Sequence, residues 1–197
     1  MDNKLYKSDL YYDIGGKNMN ILVIHGNELN NNSDKAMDIV KNAINERIDA
    51  NFREYYLPND VPYLCRNCYE CIYDDSYYTE DKCRFAAEIH EIIQSMKNAD
   101  ALIICASVFS LSEDGHIKTF LNHFTQNLRI YEQGNEKIKS ALVISITPKK
   151  DIVPPLANFS SVFVNLGIRR VHVLSMVVWG KMWASMPVDK QNQCKEQ

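Results

Sequence analysis

The sequence predicts an α/β protein built on a five-stranded parallel sheet with helices on both faces. Short apolar runs rich in β-branched residues alternate five times with helical patterns. The runs are largely continuous, which is typical of parallel strands that are buried on both faces. Polar loops follow the first, third and fourth runs, so these loops are where a ligand site is expected.

The first strand and the loop after it, residues 20–35, give the clearest indication of a ligand site. Residues 21–24 (ILVI) predict a buried strand, and Gly26 and an Asn-rich loop follow it. Ser33 and Asp34 are favoured helix N-caps, and apolar side chains then recur at helical spacing. A helix N-terminus at this edge of a sheet favours an anion, although the loop is neither a dinucleotide fingerprint nor a P-loop. An ordinary polar connection is the alternative.

The remaining elements follow from the same two patterns. In chain order they are an aromatic strand at 52–57 ended by Pro58, a long irregular segment at 59–82, a helix at 85–96, a strand at 101–108, a loop at 109–115, a helix at 117–128, a strand at 141–146, a helix from Pro154 through Leu166 with Gly167 at its C′ position, and a strand at 170–178. Right-handed crossovers, with an anion-type loop after the first strand, predict a flavodoxin-like three-layer sandwich with strand order 2-1-3-4-5.

Composition and charge argue against several classes of function. The 197 residues carry a net charge of −3 and a pI near 6.0, which give no electrostatic case for nucleic acid or an anionic membrane surface. No apolar run approaches the roughly 20 residues of a membrane span, and no signal peptide is visible, so a cytoplasmic protein is expected. We expect an N-terminal extension at 1–19, one domain at 20–180 and a C-terminal tail at 181–197.

Four cysteines form a candidate metal site in and just after the irregular segment. Cys65, Cys68 and Cys71 are separated by two C-x-x-C steps, and Cys83 follows after eleven further residues. This spacing is typical of iron–sulfur ligands, although four thiolates would also bind Zn²⁺, and free thiols are the third possibility. Cys105 lies inside a predicted strand and is expected to be a small core residue.

Four stretches together resemble the NAD(P)H-dependent FMN reductase family and its iron–sulfur flavoprotein relatives. They are the strand and loop ILVIHGNELNNNSDK, the cysteine group, the strand, loop and helix ADALIICASVFSLSEDGHIKTFLNHF, and the strand SALVISITP. In the family the first stretch grips the FMN phosphate, and the last two lie beside the flavin ring. The resemblance covers most of residues 20–178.

The resemblance implies FMN as the cofactor and NAD(P)H as its reductant. The residues at the family's phosphate loop are Gly26, Asn27, Asn31, Asn32, Ser33 and Asp34, and those at its flavin loops are Ser107, Val108, Phe109, Ser110, Leu111, Thr147, Pro148 and Lys149. The sequence departs from the family pattern at Glu28, Leu29 and Asp34, and it lacks the glycines usual after the fourth strand. An acid at the phosphate-facing helix terminus would repel a bound phosphate, so weaker FMN binding is expected.

The function that this resemblance implies is an FMN-dependent NAD(P)H oxidoreductase. Its acceptor would be a small molecule, namely flavin, a quinone or a nitro compound, or a redox protein. No side chain is assigned a catalytic role, because the cofactor carries the hydride chemistry. Two alternatives stay open: an iron–sulfur flavoprotein in which a [4Fe–4S] cluster exchanges electrons with FMN, and a non-catalytic family member that has lost FMN. The resemblance also implies a homodimer or homotetramer.

Overall fold

The computed structural model describes residues 18–29, 32–61, 63–70, 88–109, 112–126, 138–147, 156–165 and 167–177. Its elements, in chain order, are β1 (Met19–His25), α1 (Asn32–Asn45), β2 (Ala50–Tyr56), α2 (Leu57–Asp60), α3 (Glu88–Asn98), β3 (Ala101–Phe109), β4 (Ser112–Glu113), α4 (Gly115–Gln126), β5 (Ser140–Thr147), α5 (Leu156–Asn165) and β6 (Arg170–Val177). None of these described helices is long and apolar enough to span a bilayer.

Five parallel strands form one sheet in the order β2-β1-β3-β5-β6, and the short β4 pairs antiparallel with the end of β3. Counting the parallel strands alone, this is the order 2-1-3-4-5, so the predicted flavodoxin-like fold is confirmed. The central strands start in step, because Ile21 of β1 pairs with Ala101 of β3, which pairs with Ser140 of β5. All five strands therefore end at one edge, which we call the carboxyl edge and where a ligand site is expected.

Helices cover both faces of the sheet. On one face α3, α4 and α5 contribute Ile92, Phe120 and Phe163, each at most 2% exposed. On the other face α1 contributes Ala36 and Met37, each 1% exposed. Because β1 lies inside the sheet, its side chains are buried alternately under the two helix layers, which explains why its sequence is a continuous apolar run.

The segment after β3 differs from the loop predicted at 109–115. β3 continues to Phe109, and Ser112–Glu113 return beside it as β4, with Val108 opposite Glu113. The N–H of Asp114 then donates to the carbonyl of Ser107 at 3.1 Å. The pairing with β4 gives hydrogen-bond partners to the backbone groups of β3 that extend beyond its parallel neighbours. It also lets α4 begin at Gly115, two residues earlier than predicted.

Pro58 follows the end of the second strand, as predicted, and it also lies at the start of a short helix. Leu57–Asp60 form the short helix α2, with Pro58 in its first turn. Backbone N–H groups in a first turn have no partner within the helix, so the missing N–H of proline costs no hydrogen bond there. A carboxylate oxygen of Asp60 accepts from the N–H of Tyr56 at 2.5 Å, and Leu57 is fully buried. The beginning of the segment predicted as irregular is therefore ordered and packed on the core.

Gly167 ends α5 as predicted. Its φ of +67° lies in the left-handed region. Its N–H donates to the carbonyl of Val164 at 3.0 Å, and the N–H of Ile168 donates to that of Phe163 at 2.9 Å. These two bonds are the pattern of a Schellman motif, in which glycine at C′ turns the chain out of the helix.

Candidate functional site

The carboxyl edge brings together the ends of β1, β3 and β5. The N–H of Gly26 donates to the carbonyl of Cys105 at 2.9 Å, and the side-chain amide of Asn27 donates to the hydroxyl of Ser107. Thr147 ends β5, one residue beyond the partner of Ser107, and is 3% exposed. The structure therefore joins the loop after β1 to the end of β3, with a buried hydroxyl from β5 nearby.

The first turn of α1 faces the same edge. It holds Asn32, Ser33 and Asp34, and Ser33 is only 1% exposed although its side chain is polar. Four backbone N–H groups at a helix N-terminus have no partner within the helix, and the helix dipole favours negative charge there. The carboxylate of Asp34 turns toward the sheet, with Oδ1 3.4 Å from Nδ1 of His25 and the side chain 12% exposed.

A polar cluster lies under the start of α1, centred on the fully buried His25 and including the partly exposed Glu54 and Lys41. The imidazole stacks on the ring of Tyr56 with centroids 4.3 Å apart and planes 6° from parallel. Its Nε2 is 3.0 Å from a carboxylate oxygen of Glu54, whose other oxygen is 2.5 Å from Nζ of Lys41. The Nε2 of His25 thus contacts a protein side chain, whereas its buried Nδ1 has no hydrogen-bond partner among the described residues.

Burial and neighbouring charges shift the titration of this cluster. Burial lowers the pKa of His25 below 6.5, although the carboxylates of Glu54 and Asp34 oppose the shift. Burial acts to raise the pKa of Glu54, but hydrogen bonds from Lys41 and His25 outweigh it and hold that pKa below 4.5. At neutral pH the imidazole of His25 is therefore neutral and the carboxyl group of Glu54 is ionised.

Gly26 is required for packing against the start of α4. A Cβ at this position would overlap the carboxylate of Asp114 and come within 2.6 Å of Cγ1 of Ile117. Oδ1 of Asp114 accepts from the N–H of Ile117 at 2.9 Å and so caps α4. Oδ2 is buried and has no hydrogen-bond partner in the part of the chain that the structure describes. Burial raises the pKa of Asp114, partly offset by backbone hydrogen bonds.

Two of the four candidate metal ligands lie in the described chain. Cys65 is half-buried and Cys68 is exposed, while Cys71 and Cys83 lie outside the described residues. Among described side chains no group of three potential metal ligands is found. Asn67 and Tyr69, on either side of Cys68, have φ values of +51° and +60°. Asn adopts this conformation readily, whereas a bulky side chain such as Tyr rarely does.

Several predicted cofactor-binding residues lie outside the described residues, namely Asn31, Ser110, Leu111, Pro148 and Lys149. Phe109 is described for its backbone alone. Cys105 is fully buried, as predicted for a core residue.

Glu54 and Asp114 are absent from the predicted site residues. Asp114 directly precedes a helical pattern and is a favoured N-cap type, so a sequence signal for it existed. No sequence signal points to Glu54, because its contact with His25 depends on the pairing of β1 with β2.

Comparison with known proteins gives a family match and several structural neighbours. A family model described as NADPH-dependent FMN reductase matches residues 19–169. No curated protein sequence matches the chain. Among solved structures, the apo form of an NADH:FMN oxidoreductase is 20% identical with a TM-score of 0.62, covering 90% of this chain and 85% of that one.

Two further neighbours are more distant in sequence. An NAD(P)H:quinone oxidoreductase from Methanothermobacter marburgensis is 13% identical with a TM-score of 0.58, covering 91% of this chain and 93% of that one. An azoreductase from Bacillus anthracis is 10% identical with a TM-score of 0.54, covering 90% and 95%. At these identities the likeness shows a shared fold.

Proposed function

The chain belongs to the NADPH-dependent FMN reductase family, and from this premise we propose which residues hold FMN and where its electrons go. The family makes the protein an NAD(P)H-dependent flavin oxidoreductase. We propose that residues 20–180 form the FMN-binding domain. The acceptor that we propose is a small oxidised molecule, such as free flavin, a quinone or a nitro compound.

The observation that supports this assignment is the junction of the β1 loop with β3 at the carboxyl edge. Asn27 bonded to Ser107, the buried Thr147 and the first turn of α1 together offer neutral donors and hydroxyl groups. Such a donor set fits a phosphate at a helix N-terminus and the polar edge of a flavin ring. The residues present therefore fit FMN.

The roles of these residues are binding and orientation. Asn32 and Ser33 would hold the phosphate together with the backbone amides of α1. Ser107, Val108 and Thr147 would line the flavin ring. When bound, FMN supplies the hydride chemistry. The hydrogen bond between Asn27 and Ser107 fixes the loop after β1 relative to the end of β3. The distance between the residues that would contact the phosphate and those that would contact the ring is therefore fixed as well.

The test is an absorption spectrum of freshly purified protein, followed by titration with FMN and then with NADPH or NADH under anaerobic conditions. We expect flavin bands that either nucleotide bleaches and that a quinone or nitro compound restores. Protein that takes up no FMN would contradict the proposal and favour a non-catalytic family member. Bleaching that no small acceptor reverses would contradict the proposed acceptor class alone.

A second candidate function is electron transfer through an iron–sulfur cluster on Cys65, Cys68, Cys71 and Cys83. The left-handed backbone at Asn67 and Tyr69 favours it, because such turns bend the chain sharply on both sides of Cys68. A bulky residue in this conformation costs about 1–3 kcal/mol, a cost that bound metal would offset. A compact bend of this kind suits successive thiolates that share one metal site.

Iron and zinc assays on anaerobically purified protein test this candidate. About four irons per chain would support a [4Fe–4S] cluster. Cys68→Ser should then lose the iron and keep FMN, whereas Cys194→Ser, outside the group, should keep both. Zinc in place of iron would indicate a structural site, and neither metal would leave free thiols.

We also propose that the protein is a homodimer or homotetramer whose acceptor binds at the carboxyl edge. Exposed apolar side chains follow the ends of β1 and α2, with Leu29 at 59%, Tyr63 at 58% and Leu64 at 71% exposure. Apolar exposure of this extent suits a surface that a subunit or an acceptor covers. Light scattering of the purified protein measures the assembly, and a monomeric mass would contradict the first part.

A further inference from the structure

Two of the candidate metal ligands lie in the segment 63–70, shortly after α2. Most side chains of this segment are exposed, including Tyr63 at 58% and Leu64 at 71%, whereas Cys65 is half-buried. Exposed segments open readily unless packing or hydrogen bonds hold them. Thiolates of Cys65 and Cys68 can share one metal only while their backbone keeps one shape, so the contacts that hold the segment matter for binding.

Helix α4 supplies one such contact through His123. This histidine is 1% exposed and lies three residues after Phe120, on the side of α4 that is buried in the core. Its Nε2 donates to the carbonyl of Tyr63 at 2.8 Å, across 60 residues of sequence. A carbonyl oxygen only accepts, so Nε2 carries the proton. A buried imidazole costs free energy unless it is hydrogen-bonded, so the core favours the position of residue 63 that satisfies the ring.

We propose that His123 is a positioning residue for the cysteine group, which acts through the carbonyl of Tyr63 and fixes the chain two residues before Cys65. The inference rests on the candidate metal site and assigns a role to a residue that binds no metal itself. The same helix starts at the carboxyl edge, where Asp114 packs on Gly26. Nine residues, or about 14 Å of helix, separate Asp114 from His123, so α4 holds the cysteine segment at a set distance from that edge.

Thiol alkylation measures this hold. His123→Leu keeps a buried apolar side chain and removes the N–H donor. Loss of one hydrogen bond changes a local opening equilibrium about 3- to 10-fold, so the rate at which iodoacetamide alkylates Cys65 should rise by that factor. Peptide mass spectrometry assigns the rate to each thiol. The fully buried Cys105 reports unfolding of the whole domain and should stay unmodified over the time in which Cys65 reacts.

Rescue by a conservative variant distinguishes positioning from general packing. In His123→Gln the side-chain amide places an N–H about as far from Cα as Nε2 lies, so the bond to Tyr63 re-forms and the Cys65 rate should stay within about twofold of the parent's. His116→Leu removes an exposed histidine from the first turn of the same helix and should leave that rate unchanged. If His123→Leu does not fold, His123→Met replaces it, with the same expected rise.

Metal content separates this inference from the candidate site on which it rests. Where the parent holds iron or zinc, His123→Leu should bind that metal about tenfold more weakly in competition with a chelator, with FMN content unchanged. Parent protein without metal overturns the candidate site, and the alkylation rates then decide the role of His123 alone. A Cys65 rate in His123→Leu that equals the parent's, or one that rises as much in His123→Gln, overturns the positioning role.

Discussion

A methyl group at position 26 probes how tightly the carboxyl edge is packed. In Gly26→Ala the new Cβ overlaps the carboxylate of Asp114 and lies 2.6 Å from Cγ1 of Ile117, closer than real Cβ contacts come. Asp114 does not move aside freely, because Oδ1 accepts the N–H of Ile117 and caps α4. Moving Gly26 instead strains its 2.9 Å bond to the carbonyl of Cys105.

The expected cost follows from these contacts. Overpacking of a buried site costs about 1–3 kcal/mol, and loss of a helix cap adds about 1 kcal/mol. Gly26→Ala should therefore lower the free energy of unfolding by about 2–4 kcal/mol, which shifts the urea midpoint down by about 1–2 M. Because Gly26 also borders the loop that we assign to the phosphate, FMN affinity should fall with it.

Two variants control for this reasoning. Gly115→Ala adds the same methyl group where no atom lies within 4 Å, so it should change stability little or stabilise by up to about 1 kcal/mol. In an Asp114→Ala background the main obstacle is gone, and Gly26→Ala should cost at least about 1 kcal/mol less than in the parent. Equal urea midpoints for the two glycine variants, or equal costs in both backgrounds, would refute the packing argument.

Three further predictions concern titration and backbone conformation. Asp114→Asn keeps an N-cap acceptor and removes a buried carboxyl group, whose raised pKa means that it destabilises the fold once it ionises; at pH 7 this variant should therefore be at least as stable as the parent. Asp114→Ala should lose about 1 kcal/mol of unfolding free energy, because it removes the cap. Urea titrations at pH 7 compare the two variants, and equal losses would contradict the capping role. The pKa of His25 is lowered in the folded state, so its contribution to stability is present above pH 6.5 and is lost as the pH falls through the folded-state pKa. The urea midpoint should therefore fall with pH in the parent and fall less in His25→Phe. Parallel pH profiles for the two proteins would show that His25 is not responsible. Gly167→Ala, at a φ of +67° with open space around it, should cost about 1–2 kcal/mol from backbone strain alone, and a thermal melt that matches the parent would show that the turn tolerates a Cβ.

The fold was predictable because its central strands carry a strong signal. β1, β3 and β5 are covered on both faces, so burial requires apolar side chains at nearly every position. β4 was not predicted, since two residues, Ser112 and Glu113, are too few to show a pattern and form a strand only because β3 extends beyond its parallel neighbours. The helical turn at Leu57–Asp60 was missed because Pro58 signals both the end of a strand and the start of a helix.

The meeting of these loops at the carboxyl edge was predictable, whereas most of their side-chain contacts were not. The topological rule for parallel sheets places the loops after β1, β3 and β5 together, as the bond between Asn27 and Ser107 illustrates across 80 residues. The contact of His25 with Glu54 spans 29 residues and depends on the register of an edge strand, which local sequence does not encode. The approach of Asp34 to within 3.4 Å of His25 was likewise beyond the sequence, because it depends on how α1 packs on β1.

The stacked pair of His25 and Tyr56 has a spectroscopic consequence. Two aromatic rings held face to face with centroids 4.3 Å apart shield each other's protons, so the ring signals of His25 should lie upfield in a proton NMR spectrum. The imidazole also borders the first turn of α1, so its resonances should respond when charge arrives there. The chain therefore carries a native reporter for cofactor loading, one residue before the loop that we assign to the phosphate, and no label has to be attached.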